Sequence, residues 1–283
     1  ESFGIDAVST EPQSGGAEYK EIAPGVLMPL VSLGHPDDNS TVADDLAIWF
    51  RLGGVGIDTA WIYKNQREIA AFLRVARLER SRYFVTTKIM CQNSSEEALS
   101  YVYEDLKELA LDYVDLLLIH SPCADVRGTL ASWRALQIAR ARGLVRAIGV
   151  SNFGIGDIDA VLAMGGVPPA VNQCRMSVGF HDDATIAHCA AHGITYEAYS
   201  PLRHANLSDH RLVTIAKRHG KSTAQVALRW ITQQGCPLAT SPGASAAFAK
   251  QDLELNQFQL SEQEMRMLSS ITAPSVSVAS QNK

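Results

Sequence analysis

Val55-Gly56-Ile57-Asp58-Thr59-Ala60-Trp61-Ile62-Tyr63-Lys64-Asn65 passes from apolar to polar within a few residues. A short apolar run, 55–57, closes on the carboxylate of Asp58, and five residues further Tyr63 stands in polar sequence. Alone, this says little. An aspartate before a turn more often caps the next helix, and a tyrosine more often packs with its hydroxyl at the surface. Its weight comes from recurrence: an apolar run ending on a hydrogen-bonding side chain is repeated down the whole chain.

Further apolar runs lie at 83–88, 113–120, 145–150, 170–173, 194–199 and 237–240. Helical patterns separate them at 41–52, 67–77, 95–111, 130–142, 155–164, 183–192, 209–219 and 223–234. Ser94 or Ser95, with Glu97 in the first turn, marks a helix start. Gly143, Gly193, Gly220 and Gly235 mark helix ends. The stretches 246–253 and 261–271 are also helical in pattern. Ahead of all this, 19–34 carries a Pro24-Gly25 turn between apolar runs, a hairpin signal, and is expected to plug one end of a larger fold.

Strand and helix in alternation argue for a parallel sheet, and continuous apolar runs fit strands buried on both faces. Seven such strands from Val55 onward, with one more from the segment ending near Gly34, make eight. The fold class is therefore α/β: a (β/α)8 TIM barrel with an N-terminal hairpin and an additional C-terminal helix. A doubly wound sheet is the alternative. The strand ends separate the two. They are Asp58, Lys88, His120, Ser151-Asn152, Gln173, Tyr199-Ser200 and Thr240-Ser241. Loop polarity accounts for Ser and Asn, but less well for an Asp, a Lys, a His and a Gln after strongly apolar runs. In a barrel all of these converge on one mouth, where barrel enzymes carry their sites.

The chain has 283 residues, 46% of them hydrophobic and 19% charged, the balance of a globular protein with a large core. Residues 1–18, rich in Ser, Gly and Glu and without an apolar signal core, are expected to be a polar tail; 19–283 are expected to form one barrel domain. A net charge of −5 and no basic stripe argue against nucleic acid as a partner. No apolar run reaches the roughly 18 residues that span a bilayer. Cys91, Cys123, Cys174, Cys189 and Cys236 are scattered and odd in number, so they read as small buried thiols. That reading places the protein in the cytoplasm or another reducing compartment, an organelle stroma or matrix included.

Suppose Asp58, Tyr63, Lys88 and His120 share the mouth. A phenol with an ordinary pKa near 10 is a poor acid at neutral pH. An adjacent ammonium lowers that value, a carboxylate holds the ammonium charged and in place, and an imidazole N–H orients a carbonyl oxygen. Together these groups can protonate the alkoxide formed when hydride reaches a carbonyl carbon, and the hydride must come from a cofactor. Other chemistries fit less well. His120 has no strand-end histidine partner, so no metal site is expected. Gly149-Val150-Ser151-Asn152-Phe153 lacks the last glycine of a nucleophile elbow. Gly54-Val55-Gly56 precedes its strand and is not a dinucleotide fingerprint. A glycosidase needs paired carboxylates, and only Asp58 stands at a strand end.

With these residues in hand the chain resembles the aldo-keto reductase family over about 25–271. Gly56-Ile57-Asp58-Thr59-Ala60 with Tyr63 and Asn65 is similar to its first signature, 109–122 (LALDYVDLLLIHSP) to its second, and Val85-Thr86-Thr87-Lys88 to its lysine strand. The resemblance implies a (β/α)8 barrel that binds NADP(H) across the mouth. It implies Tyr63 as proton donor, tuned by Lys88 and Asp58, with His120 orienting the carbonyl. Ser151, Asn152 and Gln173 would hold the nicotinamide carboxamide, Tyr199 would stack on the ring, and Ala198-Tyr199-Ser200-Pro201-Leu202 would run beside the pyrophosphate. His120, where another branch has glutamate, resembles the carbonyl reducers.

Departures from the family pattern concern the far end of the cofactor and the substrate. Thr240 and Ser241 stand where members that favour NADP have Lys-Ser. The following arginine position falls near Ala247 or Phe248, and Asp252 takes the place of an asparagine. Lys250 is the available substitute. The clamp for the 2′-phosphate is thus largely missing, which predicts a weakened preference for NADP(H) and use of NAD(H). His35-Pro36-Asp37-Asp38 and Met90 replace residues that flank the family's pocket, and the 203–208 loop is short. Trp61, His35, Met90 and His120 are expected to line an open pocket for small aldehydes or ketones. The chain is expected to be a monomer. The alternative is a catalytically weak or non-enzymatic subunit of an assembly, or a redox sensor.

Overall fold

A computed structural model of the chain describes residues 17–34 and 42–271. The tail expected over 1–18 falls outside them except for Ala17 and Glu18, and His35 falls outside them too. The Pro24-Gly25 signal forms a hairpin of β1 (Tyr19–Ala23) and β2 (Val26–Pro29), paired antiparallel. Gly25 takes φ +72°, the left-handed conformation this turn requires.

Eight parallel strands follow and close on themselves in the order β10-β3-β4-β5-β6-β7-β8-β9. They are β3 (Val31–Gly34), β4 (Gly56–Asp58), β5 (Phe84–Ile89), β6 (Val114–Ile119), β7 (Val145–Ser151), β8 (Val171–Arg175), β9 (Thr195–Tyr199) and β10 (Leu238–Thr240). The helices α1 (Val42–Arg51), α2 (Gln66–Ala76), α3 (Ser95–Leu109), α4 (Val126–Ala141), α5 (Ile155–Ala163) and α6 (Asp183–Ala191) connect successive strands from β3 to β9. α7 (His210–His219) and α8 (Thr223–Thr232) together bridge β9 to β10, and α9 (Ala246–Leu253) and α10 (Glu262–Ser269) end the described chain. The doubly wound alternative is excluded by closure, and the helix beyond the barrel set is present.

Period-two alternation divides each strand between two cores. In β6, Leu116 and Leu118 pack inward with Phe84, Ala147 and Val171, whereas Leu117 and Ile119 join the layer beneath the helices. The inner cluster also contains Ile22, Val26 and Met28, so the hairpin plugs the barrel floor. Lys88 is in register with Leu118 and shares its inward direction, so an ammonium sits above an apolar floor. Thr87, one residue before, points outward to Asp105 of α3 at 2.6 Å. Gly56 lies where an added Cβ would run into the Ser32 hydroxyl and come within 2.8 Å of Pro29 Cγ. A larger residue there would push β4 away from β3.

Two readings of the sequence are corrected. The helix expected from 130 begins at Val126, where Asp125 accepts from the Arg127 N–H. Gly128 is a poor helix residue and obscures this start, yet a Cβ there would lie 2.8 Å from the Cys123 sulfur. The second correction concerns that sulfur. Cys91 and Cys123 form a disulfide, with Cα atoms 5.4 Å apart. Their 32-residue separation conceals that they follow neighbouring strands β5 and β6. The free thiols are Cys174, half-buried, and Cys189 and Cys236, both buried. Burial pushes Cys174 up to about 12 and Cys236 up to about 11, as expected for inert thiols. The inference of a reducing compartment, which rested on five free thiols, loses that support. Thiol titration in denaturant without reductant is expected to count three thiols per chain, rising to five after reduction. Five at the outset would mean that the pair is not bonded in the purified protein.

Candidate active site

Asp58 ends β4 and Lys88 stands near the end of the adjacent β5, both directed into the barrel. Lys88 Nζ donates to Asp58 Oδ1 at 2.5 Å and to the Thr59 carbonyl at 3.0 Å. Gln173, on β8 across the barrel, donates from Nε2 to Asp58 Oδ2 at 2.7 Å. Asp58 therefore uses both oxygens on the barrel interior, and its helix-capping alternative is set aside. Burial lowers the Lys88 pKa, but the charges of Asp58, Tyr63 and Glu197 outweigh it and leave the ammonium above its ordinary value. Lys88 is thus a permanent buried cation near neutral pH.

Tyr63 lies in the single helical turn Trp61–Tyr63 just beyond β4. Its ring centroid is 5.4 Å from Lys88 Nζ and 5.7 Å from the His120 ring, which it meets edge to face. His120 follows β6, and its backbone N–H donates to the Ile89 carbonyl at 2.9 Å, tying it to the lysine strand. Burial, helped by the nearby Lys88 charge and opposed by Asp58, lowers His120 to about 4. The imidazole is neutral at pH 7 and carries one N–H. Its buried Nδ1 has no hydrogen-bond partner among the described residues.

The other strand ends complete the mouth. Ser151 Oγ donates to the Gln173 carbonyl at 2.8 Å. Asn152 Nδ2 donates to the His120 carbonyl and to Ser151 Oγ, both at 3.0 Å. The Tyr199 hydroxyl donates to Asn152 Oδ1 at 2.8 Å. Asn152 and Ser200 both hold positive φ, 60° and 52°. Such strain is uncommon outside glycine and is held here by the surrounding bonds. A cavity of about 370 Å3 opens between these groups, lined by Tyr63, His120, Asn152, Tyr199, Leu202 and Thr240 among others.

Other expected residues lie elsewhere. Trp61 packs edge-on to Tyr101, with Lys64 Nζ 3.0 Å above its ring, and neither Trp61 nor Met90 lines the cavity. Thr240 Oγ1 donates to Asp252 Oδ2 at 2.8 Å, a buried bond from β10 to α9, and burial raises Asp252 to about 6. Ser241 Oγ donates to the Gly34 carbonyl at 2.6 Å. Lys250 is largely exposed and faces Glu254 at 3.8 Å.

Two groups at the mouth or just beneath it escape the sequence reading. Arg203 lines the cavity, and its charge, with that of Arg175, adds to burial in lowering the His204 pKa. Glu197 matters more. It is in register with Gln173 and fully buried, and neither carboxylate oxygen has a hydrogen-bond partner among the described residues. The sequence signal was a charge inside an apolar run, two residues before Tyr199 and hence on the same side of the strand.

Burial, then the charge of Asp58, push the Glu197 carboxyl up to about 8, against the Gln173 amide, which stands near it but beyond hydrogen-bond distance, and the charge of Lys88. The folded protein therefore holds this proton more tightly than the unfolded chain. The resulting stability is full below about pH 4.5 and is lost as pH rises to about 8. Glu197→Gln is expected to flatten the fall in Tm between pH 5 and pH 8. An equal fall in the variant would place its origin elsewhere.

The sequence model of the Aldo/keto reductase family matches residues 30–273. The chain belongs to the aldo-keto reductase family. Among its relatives, morphine 6-dehydrogenase of Pseudomonas putida is 35% identical over 267 residues, covering 86% of this chain and 88% of that protein. Glyoxal reductase of Bacillus subtilis is 33% identical over 246 residues, covering 85% and 88%. The crystal structure of an aldo/keto reductase from Brucella melitensis superposes with a TM-score of 0.86 at 29% identity, covering 90% of this chain and 99% of that one. The protein is accordingly an oxidoreductase of a family that reduces carbonyl groups with NAD(P)H. Among the described residues no helix is long and apolar enough to cross a membrane.

Proposed function

We propose that this aldo-keto reductase reduces small aldehydes or ketones, with Tyr63 donating the proton. What carries the reading is the buried Lys88–Asp58 pair at 2.5 Å beside the Tyr63 ring, with neutral His120 across from it. Lys88 favours the phenolate left behind when Tyr63 O–H donates to the substrate oxygen. Asp58 keeps Lys88 protonated and fixed. His120 uses its one N–H to hold that oxygen, and its neutrality leaves Tyr63 as the stronger proton source.

The mouth fits a nicotinamide. Gln173 Nε2 is engaged by Asp58, which leaves Oε1 to accept from a carboxamide, while Ser151 and Asn152 offer further polar atoms. Tyr199, held through its hydroxyl by Asn152, presents a ring face for stacking. When bound, the dihydronicotinamide supplies the hydride. Ser200 and Leu202 border the path toward the pyrophosphate, and Arg203 adds positive charge there. The adenosine end is different. Thr240 is bonded to a carboxyl group rather than replaced by a cation, Ser241 is bonded to the backbone, and Lys250 leans toward Glu254.

Weak discrimination between cofactors follows, because a charge-assisted hydrogen bond to the 2′-phosphate is worth about 1.5–3 kcal/mol. Quenching of protein fluorescence by NADPH and by NADH is expected to give dissociation constants within roughly tenfold of each other. A preference for NADPH of a hundredfold or more would show that another cation takes the phosphate. Turnover of 4-nitrobenzaldehyde with either cofactor tests the activity itself. The substrate is proposed to lie in the cavity against Tyr63 and His120. The name of the Bacillus relative, a reductase of the small dicarbonyl glyoxal, is consistent with this size class.

A further inference from the structure

We propose that Asp159, His188 and His192 form a binding site for a divalent transition-metal ion on the outer helical layer, joining α5 to α6. His188 and His192 are four residues apart, which sets both imidazoles on one helix face. Asp159 reaches that face from the middle of α5. His188 Nε2 lies 2.8 Å from Asp159 Oδ1, and the two imidazole rings are 4.5 Å apart between centroids. Each of the three residues places a ligand atom within 4.8 Å of the other two.

One contact does more than bring donors together. His192 Nδ1 lies 2.9 Å from the His188 carbonyl oxygen. With Nδ1–H donated there, the lone pair is on Nε2 and the ring is oriented, which is how ligating histidines are commonly held. His192 is also the C-cap of α6, where the negative end of the helix dipole favours a cation. Asp159 and His192 are exposed and His188 is half-buried, so an ion has access.

In the ion-free protein the His188–Asp159 contact is a hydrogen bond from Nε2–H, a link between the helices in its own right. A metal would replace that proton. Tetrahedral bonds of about 2.0–2.1 Å set neighbouring donors about 3.3 Å apart. That distance requires a slight opening of the 2.8 Å contact and a turn of the exposed His192 ring inward. Two nitrogen donors and one carboxylate suit Zn(II), Ni(II) or Cu(II) rather than Mg(II) or Ca(II), with water completing the shell. Each helix runs from the barrel mouth back toward its floor. The C-terminal turn of α6 is therefore remote from Tyr63 and Lys88, and the ion would fasten two helices rather than take part in the reaction.

Isothermal titration of tag-free, chelator-treated full-length protein with ZnCl2 tests this. One site per chain is expected, with a Kd on the order of 10 µM. His188→Asn and His192→Asn should each weaken it at least about tenfold, with far-UV circular dichroism unchanged at these surface positions. A rise in Tm on adding ZnCl2 should appear in wild type and vanish in the double variant. No saturable binding, or less than tenfold weakening in either histidine variant, overturns the proposal. Zinc held at the mouth or by thiols would give that second result.

Discussion

Tyr63→Phe is expected to lower kcat for 4-nitrobenzaldehyde reduction by about 10²–10⁴-fold, the usual contribution of a placed general acid. Only the hydroxyl is removed, so the ring keeps its edge contact with His120 and its position near Lys88. The bonds of Lys88 and Gln173 to Asp58 are made by other atoms. Cofactor affinity, measured by fluorescence quenching, should therefore stay within roughly threefold of wild type. Loss of turnover with retained binding would assign the proton to Tyr63. Retained turnover would sink that role. Wild-type protein that binds cofactor but turns over no aldehyde or ketone would instead favour the non-enzymatic reading, so the two failures are distinguishable.

Lys88→Met should be the most damaging single change to stability. Lys88 is 1% exposed and supplies the only cation bonded to Asp58 among the described residues. Methionine matches its length but leaves the Asp58 carboxylate buried without a counter-charge. Breaking a buried pair from one side costs about 3–5 kcal/mol, which in a protein of this size lowers Tm by roughly 10 °C. The folded-state pKa of Lys88 is raised, so its stabilisation is complete below the ordinary lysine value and is lost only at more alkaline pH. The deficit should therefore be present across pH 6–9. Asp58→Asn in the Lys88→Met background should recover part of it, because the stranded charge is removed as well. Differential scanning calorimetry of the two single variants and the double variant measures the coupling. A Tm loss below about 2 °C for Lys88→Met would mean that the network does not hold a charged pair.

Much of the site was legible because barrel topology turns a local pattern into a global one. Asp58, Lys88, His120, Asn152, Gln173 and Tyr199 are polar ends of apolar runs; closure of the sheet brings all but Lys88 round one cavity, and Lys88 lies behind it on Asp58. Glu197 was not found that way. It lies inside its run rather than at the end, and what makes it consequential is its neighbour in register, Gln173, 24 positions earlier in the chain. The Cys91–Cys123 bond failed for a related reason. Residue spacing carries no information on which loops abut, and the pair becomes visible only when β5 and β6 are seen as neighbours. At the cofactor's far end, Thr240 and Asp252 depart from the family pattern in sequence, but only the fold brings them into a bond with each other.

Sequence by itself therefore determined the strand and helix order, the barrel and the family resemblance, and it pointed to Asp58, Tyr63, Lys88 and His120 as neighbours at one end of the barrel. Each of these is written in local periodicity or in short motifs, which the chain carries without reference to its other parts. Tertiary structure alone decided which groups share a proton or a charge. Gln173 bonds to Asp58, Glu197 is buried beside them, Thr240 is tied to Asp252, and the two loop cysteines are joined. The physical reason is that pairing energies depend on distance and burial, and residues far apart in the chain acquire both only when the barrel closes.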